Sequence, residues 1–241
     1  MSAPRSFEVY KMTAASVIGH GARSLTEMQT SPVVFVVDDD VSIRESLELL
    51  IRHEGWQVET FESASAFLDR PRVHAPNCLV LDISMPGLNG LELQKRVAVE
   101  RPEMPIIFIT GHGDVPKSVQ AIKAGAVEFL TKPFNDESLL SAIRNAIERS
   151  KLLVSRNAEL QVLKLRYEDL TSREREVFVL VVAGLLNKQV GSELGISETT
   201  VKAHRGCVMR KMKAESLPDL VNMATRLRLP RPKNSNTPAS N

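Results

Sequence analysis

The chain has 241 residues, 43% of them hydrophobic and 25% charged, and a formal net charge of +2 at pH 7. This length suits one large domain or two ordinary ones. No apolar run approaches the roughly 18 residues that span a bilayer, and residues 1–30 lack the hydrophobic segment of a secretory signal, so a membrane or secreted protein is not expected. Cys78 and Cys207 have no pairing motif or metal-binding spacing, which favours a reducing cytoplasm.

The charge is divided unevenly along the chain. Residues 31–140 carry 10 Lys and Arg against 17 Asp and Glu, a balance of −7. Residues 166–233 carry 13 against 8, a balance of +5. An acidic part is therefore followed by a basic part. Such asymmetry suggests a nucleic-acid partner for the basic part, although charge alone says nothing about which sequence it would bind.

Taken in chain order, residues 1–31 are rich in Ser, Ala and Thr without a sustained period, which predicts a disordered extension. From Val33 onward, short apolar runs alternate with helix-like segments. The predicted strands are 33–37, 57–61, 78–82, 105–109 and 127–130. The predicted helices lie near 42–53, 63–69, 89–100 and 115–124, with a fifth from 136 onward. Five alternations of this kind predict an α/β doubly wound, five-stranded parallel sheet.

Acidic side chains follow two of the predicted strands at the point where each strand ends. Asp38 and Asp39 close the first run, and Asp82 closes the third. Because the carboxyl ends of parallel strands meet at one edge of a sheet, we expect these carboxylates to share a crevice. Like charges that close need a cation, and Mg²⁺ suits oxygen ligands and a phosphoryl donor. Thr110 and Lys132, also at the ends of apolar runs, add a hydroxyl and a positive charge.

The ordered set of Asp-Asp, Asp, Thr and Lys-Pro over residues 33–133 resembles the receiver domain of two-component response regulators. The stretch I-T-G-H-G-D-V-P, which begins at Ile109, resembles the FixJ branch of that family, as does the following A-I-K-A-G-A-V-E-F-L-T-K-P-F. Within this family the Lys132–Pro133 peptide is expected to be cis.

The resemblance implies that Asp82 accepts a phosphoryl group from a histidine kinase. The implied Mg²⁺ ligands are Asp38, Asp39, Asp82 and the backbone carbonyl of Ser84. The implied switch residues are Thr110, Lys132 and Phe129. Lys132 would stabilise charge on the transferred group, and Thr110 would shift toward it and free space for Phe129. For Phe129, plain core packing is the alternative interpretation.

After Phe134 the pattern is helical to about residue 167. Positions with 3-4 spacing are Ile143, Ala146, Ser150, Leu153, Asn157 and Leu160, and two of these six are polar. Two interpretations stay open. The last receiver helix, ending the domain near residue 140, could extend through a solvated helical linker over 141–167, or this row of residues could be a weak coiled-coil seam between two copies.

Residues 168–228 have the order of a helix-turn-helix domain. A helix capped by Thr171 or Ser172 ends at Gly184, a short helix covers 187–194, and Ser197 caps a longer helix that runs to about Met212. The segments L-T-S-R-E-R-E-V and G-L-L-N-K-Q-V-G-S-E-L-G-I-S-E-T-T-V-K-A-H-R resemble the LuxR/NarL-type DNA-binding domain. Residues 229–241 are predicted to be a disordered tail.

The longest of these helices has two distinct faces at 100° per residue. Val201, Val208 and Met212 share one stripe, which predicts the core. The residues predicted to meet DNA on the opposite face are Thr199, Lys202, Ala203, Gly206 and Arg210. The small side chains at two of these positions would let the helix lie deep in the major groove.

These expectations describe a transcriptional response regulator that is not a turnover enzyme. Its expected partners are a sensor histidine kinase, promoter DNA and RNA polymerase. Phosphorylation would promote homodimerisation or release the helix-turn-helix domain. One alternative is a DNA-binding protein that ignores phosphorylation and uses its receiver as a dimerisation platform. Another is a phosphatase with an aspartate nucleophile, although no second acid is placed to activate water.

Overall fold

The first part of the chain folds into one parallel sheet, seen in a computed structural model that describes residues 31–111 and 115–229, without the side chains of 115–117. Of the predicted extension 1–31 and tail 229–241, all but Ser31 and Leu229 lie outside the described residues. The strands are β1 (Val33–Val37), β2 (Gln57–Phe61), β3 (Asn77–Asp82), β4 (Ile106–Thr110) and β5 (Glu128–Thr131), in the order β2-β1-β3-β4-β5. Each predicted strand is confirmed to within one residue at either end.

Helices cover both faces of this sheet. They are α1 (Val41–His53), α2 (Ala64–Asp69), α3 (Gly90–Glu100), α4 (Val115–Lys123) and α5 (Asp136–Glu168). Helices α2, α3 and α4 contribute to one hydrophobic core, and α1 and α5 contribute to the other. Because β1, β3 and β4 are buried on both faces, they read as continuous apolar runs rather than alternating ones. The predicted doubly wound fold is confirmed.

Helix α5 belongs to both halves of the protein. It is continuous over 33 residues. Its first turns, including Leu139 and Ile147, pack in the core of the sheet domain, whereas Leu163 and Tyr167 near its end pack in the C-terminal core. Residues 151–162 between them are exposed or partly exposed. Residues 141–167 are thus helical throughout, and one continuous helix contributes to the cores of both domains.

The coiled-coil interpretation is wrong over the first half of its proposed seam. Ile143, Ala146 and Ser150 are buried against the parallel sheet, so these side chains are not available to a second copy. Ser150 is fully buried and makes two hydrogen bonds. Its hydroxyl accepts from the Asn77 N–H at 3.0 Å and donates to the carbonyl of Glu103 at 2.9 Å. This contact fixes α5 to the amino end of β3, the strand that ends at Asp82.

The C-terminal part is a small helical domain around a third core. Its helices are α6 (Ser172–Val182), α7 (Asn187–Leu194), α8 (Glu198–Met212) and α9 (Leu217–Arg226). Thr171 and Ser197 cap α6 and α8 as predicted, and Gly195 turns the chain between α7 and α8 with a φ of 66°. The prediction did not include α9, which begins after its cap Ser216.

Close packing around the turn before α8 depends on Gly191. A Cβ at this position would lie 2.7 Å from the carbonyl oxygen of Ile196. The close approach is therefore between α7 and the turn that precedes α8.

An ion pair joins the beginning of α6 to the end of α8. Lys211 Nζ lies 2.8 Å from Oε2 of Glu174, and the same oxygen accepts the Thr171 N–H at 2.8 Å. Glu174 is buried. The hydrogen bond from Lys211 is the main cause of a lowered pKa for Glu174. The carboxylate is therefore part of the fold of this domain.

We expect Ser150→Ala to lower the free energy of unfolding of the sheet domain by about 1 to 3 kcal/mol, because it leaves a buried N–H and a buried carbonyl without their partner. Urea unfolding followed by fluorescence of Trp56, the single tryptophan, measures this change. The control is Ser155→Ala on the exposed part of the same helix. It should be neutral or slightly stabilising, because alanine favours helix. Equal losses in the two variants would contradict the role of Ser150.

The ion pair of α6 and α8 predicts a pH dependence. A depressed carboxyl pKa contributes stability that is complete above the ordinary value of 4.5 and is lost as the pH falls through the lowered folded-state value. Glu174→Gln should therefore unfold more readily than the unmodified protein at pH 7, and the difference should vanish toward pH 3. Trp56 lies outside this domain. A loss of circular dichroism without a change in Trp56 fluorescence would therefore report unfolding of the C-terminal domain. A difference that persists at pH 3 would point to lost packing instead.

Candidate functional site

Three side chains meet at the carboxyl edge of the sheet. Asp38 follows β1, Asp82 ends β3 and Lys132 follows β5. The Lys132 ammonium lies 2.7 Å from Oδ2 of Asp38 and 3.0 Å from Oδ1 of Asp82. The two aspartates are only 1% and 5% exposed. One cation therefore bridges two buried carboxylates that come from strands adjacent in the sheet.

Backbone N–H groups fix the remaining carboxylate oxygens. Oδ1 of Asp38 accepts the Asp40 N–H at 2.9 Å, and Oδ2 of Asp82 accepts the Ser84 N–H at 2.6 Å. Burial raises the pKa of Asp38 in spite of its bond to Lys132. Burial alone would lower the pKa of Lys132, but its hydrogen bonds to both aspartates outweigh this and raise it. The single ammonium thus compensates the buried negative charge incompletely.

The backbone links the predicted switch threonine to the lysine. Thr110 ends β4 and is buried, and its carbonyl accepts the Lys132 N–H at 2.7 Å. The peptide after Lys132 is cis, as expected. Phe129 on β5 is half-buried, with its ring centre 6.5 Å from that of Phe108. The Thr110 carbonyl thus ties the end of β4 to Lys132, and Phe129 packs against the hydrophobic core that contains Phe108.

The amino end of α3 rests directly on the backbone of Asp82. The Gly90 N–H donates to the carbonyl of Ile83 at 3.1 Å. A Cβ at Gly90 would lie 2.4 Å from the carbonyl oxygen of Asp82, so any larger residue would displace the chain there. Asn89 caps α3 as predicted and forms a capping box with Glu92. Glycine at this position therefore lets the first residue of α3 contact the backbone of Asp82 directly.

The second candidate site is the outer face of α8. Its members are all exposed: Thr199, Lys202, Ala203, Gly206 and Arg210. Val201, Val208 and Met212 are buried in the C-terminal core. The predicted division of α8 into a core face and an outer face is confirmed. A Cβ at Gly206 would meet no atom within 4 Å, so the glycine leaves open space on this face.

The charged groups of this face have local partners. Lys202 Nζ lies 3.1 Å from Oε1 of Glu198, one turn earlier. Arg210 donates to the Cys207 sulfur at 3.6 Å. Both contacts are at the surface and contribute little to stability. The two side chains can therefore leave these partners at little cost.

Comparison with known proteins connects the two sites. A family model described as "Response regulator receiver domain" matches residues 34–144, and one described as "Bacterial regulatory proteins, luxR family" matches 168–224. Nodulation protein W of Bradyrhizobium diazoefficiens is 48% identical over 202 residues, which cover 84% of this chain and 89% of that protein. The chain belongs to the response regulators with a LuxR-type DNA-binding domain. The proteins of this family are transcriptional regulators rather than classical enzymes.

The likeness extends over both domains. The transcriptional regulatory protein FixJ of B. diazoefficiens is 42% identical over 199 residues, which cover 83% of this response regulator and 97% of FixJ. The solved structure of the response regulator StyR superposes with a TM-score of 0.71 at 45% identity, over 81% of this chain and 99% of StyR. The resemblance to the FixJ branch is confirmed. Within the described residues, no helix combines the length and the apolar character needed to cross a membrane.

In this response regulator, part of the predicted ligand set is arranged in a way that suits Mg²⁺. Asp38 and Asp82 already share one cation, and Mg²⁺ commonly binds one or two carboxylates together with water. Asp39 is exposed, and the described residues contain no converging group of three His, Cys, Asp or Glu side chains. The contact that Ser84 makes with Asp82 is a hydrogen bond from its N–H, and it does not involve the Ser84 carbonyl. Asp39 and the Ser84 carbonyl therefore stay predictions as ligands.

Sequence reasoning missed Arg44 as a pocket residue of this response regulator. Its guanidinium Nη1 donates to the carbonyl of Asp38 at 2.7 Å. One signal could have found it. Arginine stands near the beginning of a helix, where a positive charge is unfavourable, and lies four residues after the last of three consecutive acids.

Proposed function

We propose that this response regulator is phosphorylated on Asp82 by a sensor histidine kinase in the cytoplasm, and that phosphorylation controls promoter binding by α8. The observation that carries the proposal is the Lys132 ammonium held between Asp38 and Asp82. Two buried carboxylates around one fixed cation form a site where negative charge can be received and stabilised.

The transfer follows from this arrangement. A carboxylate oxygen of Asp82 attacks the phosphorus of the phosphohistidine, the nitrogen–phosphorus bond breaks, and its electron pair stays on the imidazole. Lys132 is preorganised beside Oδ1 of Asp82, where charge on the transferred group develops. Asp38, Asp39 and Asp82, with the Ser84 carbonyl, would hold Mg²⁺, and the metal would neutralise charge on the phosphoryl oxygens.

The proposed output begins at the other switch residues. The Thr110 hydroxyl would hydrogen-bond a phosphoryl oxygen and move toward it, and Phe129 would turn into the space released. The carbonyl of Thr110 accepts the Lys132 N–H, so the two groups would move together. The result would be a bias between two arrangements of the β4–β5 surface, rather than a new fold. Phosphorylation would then promote homodimerisation, release of the DNA-binding domain, or both.

The proposed readout is contact of the outer face of α8 with the major groove. Lys202 and Arg210 would bind base edges or phosphates, and Ala203 and Gly206 would let the helix approach closely. The bound dimer would then act on RNA polymerase at the promoter. No turnover of a small substrate belongs to this function, because the phosphoryl group is a signal carried by the protein itself.

Incubation with acetyl phosphate and Mg²⁺ should label the protein at Asp82, and Asp82→Asn should abolish the labelling. Mass spectrometry of the labelled peptides is the measurement. Asp69→Asn, which changes an exposed acid outside the pocket, is the matched control and should label normally. A label on Asp39 or on a serine would refute the assignment. DNA binding that is unaffected by Asp82→Asn would instead favour the phosphorylation-independent alternative, and sustained hydrolysis of a phosphoester would favour the phosphatase.

Lys202→Ala should weaken DNA binding, and the kind of loss should reveal the contact. If Lys202 binds a base, we expect a loss on the order of 1 to 3 kcal/mol with relaxed preference at one position. If it binds a phosphate, all sequences should weaken alike and the salt slope should flatten by about one unit. Titrations of selected and random duplexes at several salt concentrations make this distinction. Lys164→Ala on α5, also an exposed lysine, is the control, and an equal loss there would indicate that net charge alone matters.

A further inference from the structure

Asp38 makes four hydrogen bonds, through its N–H, its carbonyl and its two carboxylate oxygens, and each has a different partner in the receiver. Its N–H donates to the carbonyl of Phe61 at the end of β2, at 3.2 Å. Its two carboxylate oxygens accept from the Asp40 N–H and the Lys132 ammonium. Its carbonyl accepts from Nη1 of Arg44 at 2.7 Å. The position of this buried aspartate therefore depends on α1 as well as on the strands.

The carbonyl bound by Arg44 belongs to the peptide that joins Asp38 to Asp39. A peptide unit is planar, so fixing the carbonyl direction also fixes the nitrogen and the Cα of the next residue. Arg44 thus constrains the backbone from which both acidic side chains extend.

Arg44 occupies a position where the local rules of helix stability disfavour it. It lies at the end of the first turn of α1, near the positive end of the helix dipole, and the first turn contains no acidic residue. A residue that violates a local preference without a local gain is often found at a functional site. Its side chain is partly buried and reaches back across the helix terminus to the pocket, instead of extending into solvent.

We propose that Arg44 is a positioning residue for Mg²⁺ binding, which acts by holding the Asp38–Asp39 peptide. This inference rests on the proposed function, because it assumes that the acidic pair receives the metal. Residues that orient metal ligands typically change metal affinity by 10- to 100-fold when they are replaced. Arg44 itself does not touch the metal.

If only the charge of Arg44 mattered, replacing this residue would strengthen Mg²⁺ binding instead of weakening it. Removing a positive charge next to three acids should strengthen the binding of a divalent cation, and this change should shrink as salt screens the interaction. Losing the hydrogen bond to the carbonyl should weaken binding, with little dependence on salt. The sign of the change therefore separates positioning from simple electrostatics.

The test measures Mg²⁺ affinity of the full chain by calorimetry, without any phosphoryl donor. Arg44→Met keeps the length of the apolar stem and removes both charge and donor, and we expect about tenfold weaker binding that persists at high salt. Arg44→Lys can still donate to the carbonyl and should retain intermediate affinity. The control is Arg52→Met on the same helix, whose arginine pairs with Glu48 at the surface. It should leave the affinity unchanged.

Unchanged or tighter Mg²⁺ binding by Arg44→Met would overturn the inference, and so would a loss of the same size in Arg52→Met. Unfolding in urea, followed by Trp56 fluorescence, identifies a variant whose receiver is globally destabilised. If Arg44→Met is unfolded, Arg44→Lys decides. An intermediate affinity supports positioning, whereas full affinity would overturn the inference, because the guanidinium would then not be needed. An unmodified protein that fails to bind Mg²⁺ would refute the proposed function itself.

Discussion

The pocket depends on one electrostatic constraint, which is that two carboxylates buried side by side must share positive charge. Asp38 and Asp82 can occupy adjacent strand ends because the Lys132 ammonium binds both. The parallel sheet makes this possible, since it directs the ends of β1, β3 and β5 to the same edge. Burial nevertheless raises the pKa of Asp38, because the bond to Lys132 offsets only part of the cost of burying this carboxylate. Under the proposed function, this site receives a cation and the charge of a phosphoryl group.

Much of this could be predicted from the sequence, because the relevant positions are set by local periodicity. Asp82 and Lys132 each follow a short apolar run, and a parallel sheet converts that shared position into proximity. The two faces of α8 followed from 100° per residue, and the exposure of Lys202 and the burial of Val208 agree with it. In both cases one geometric rule connects the spacing along the chain to a position in space.

Other features depend on contacts between segments distant in sequence, which no local pattern records. Ser150 looked like one polar position in a weak seam, yet it is buried because Asn77 and Glu103 provide its partners. Arg44 could be a solvated helix residue on sequence alone, and only the fold places the Asp38 carbonyl within its reach. Asp39 adjoins a buried aspartate but is itself exposed, because neighbouring residues at a strand end point in different directions.

The continuous helix α5 limits how the length of this protein can change. Each residue inserted or deleted within the exposed segment 151–162 would turn the DNA-binding domain by about 100° around the helix axis and shift it by about 1.5 Å. A change of seven residues would restore the angular setting to within about 20° while moving the domain by about 10 Å. Chimeras that join this receiver to another DNA-binding domain must therefore match the helical phase at the junction, in addition to the domain boundaries.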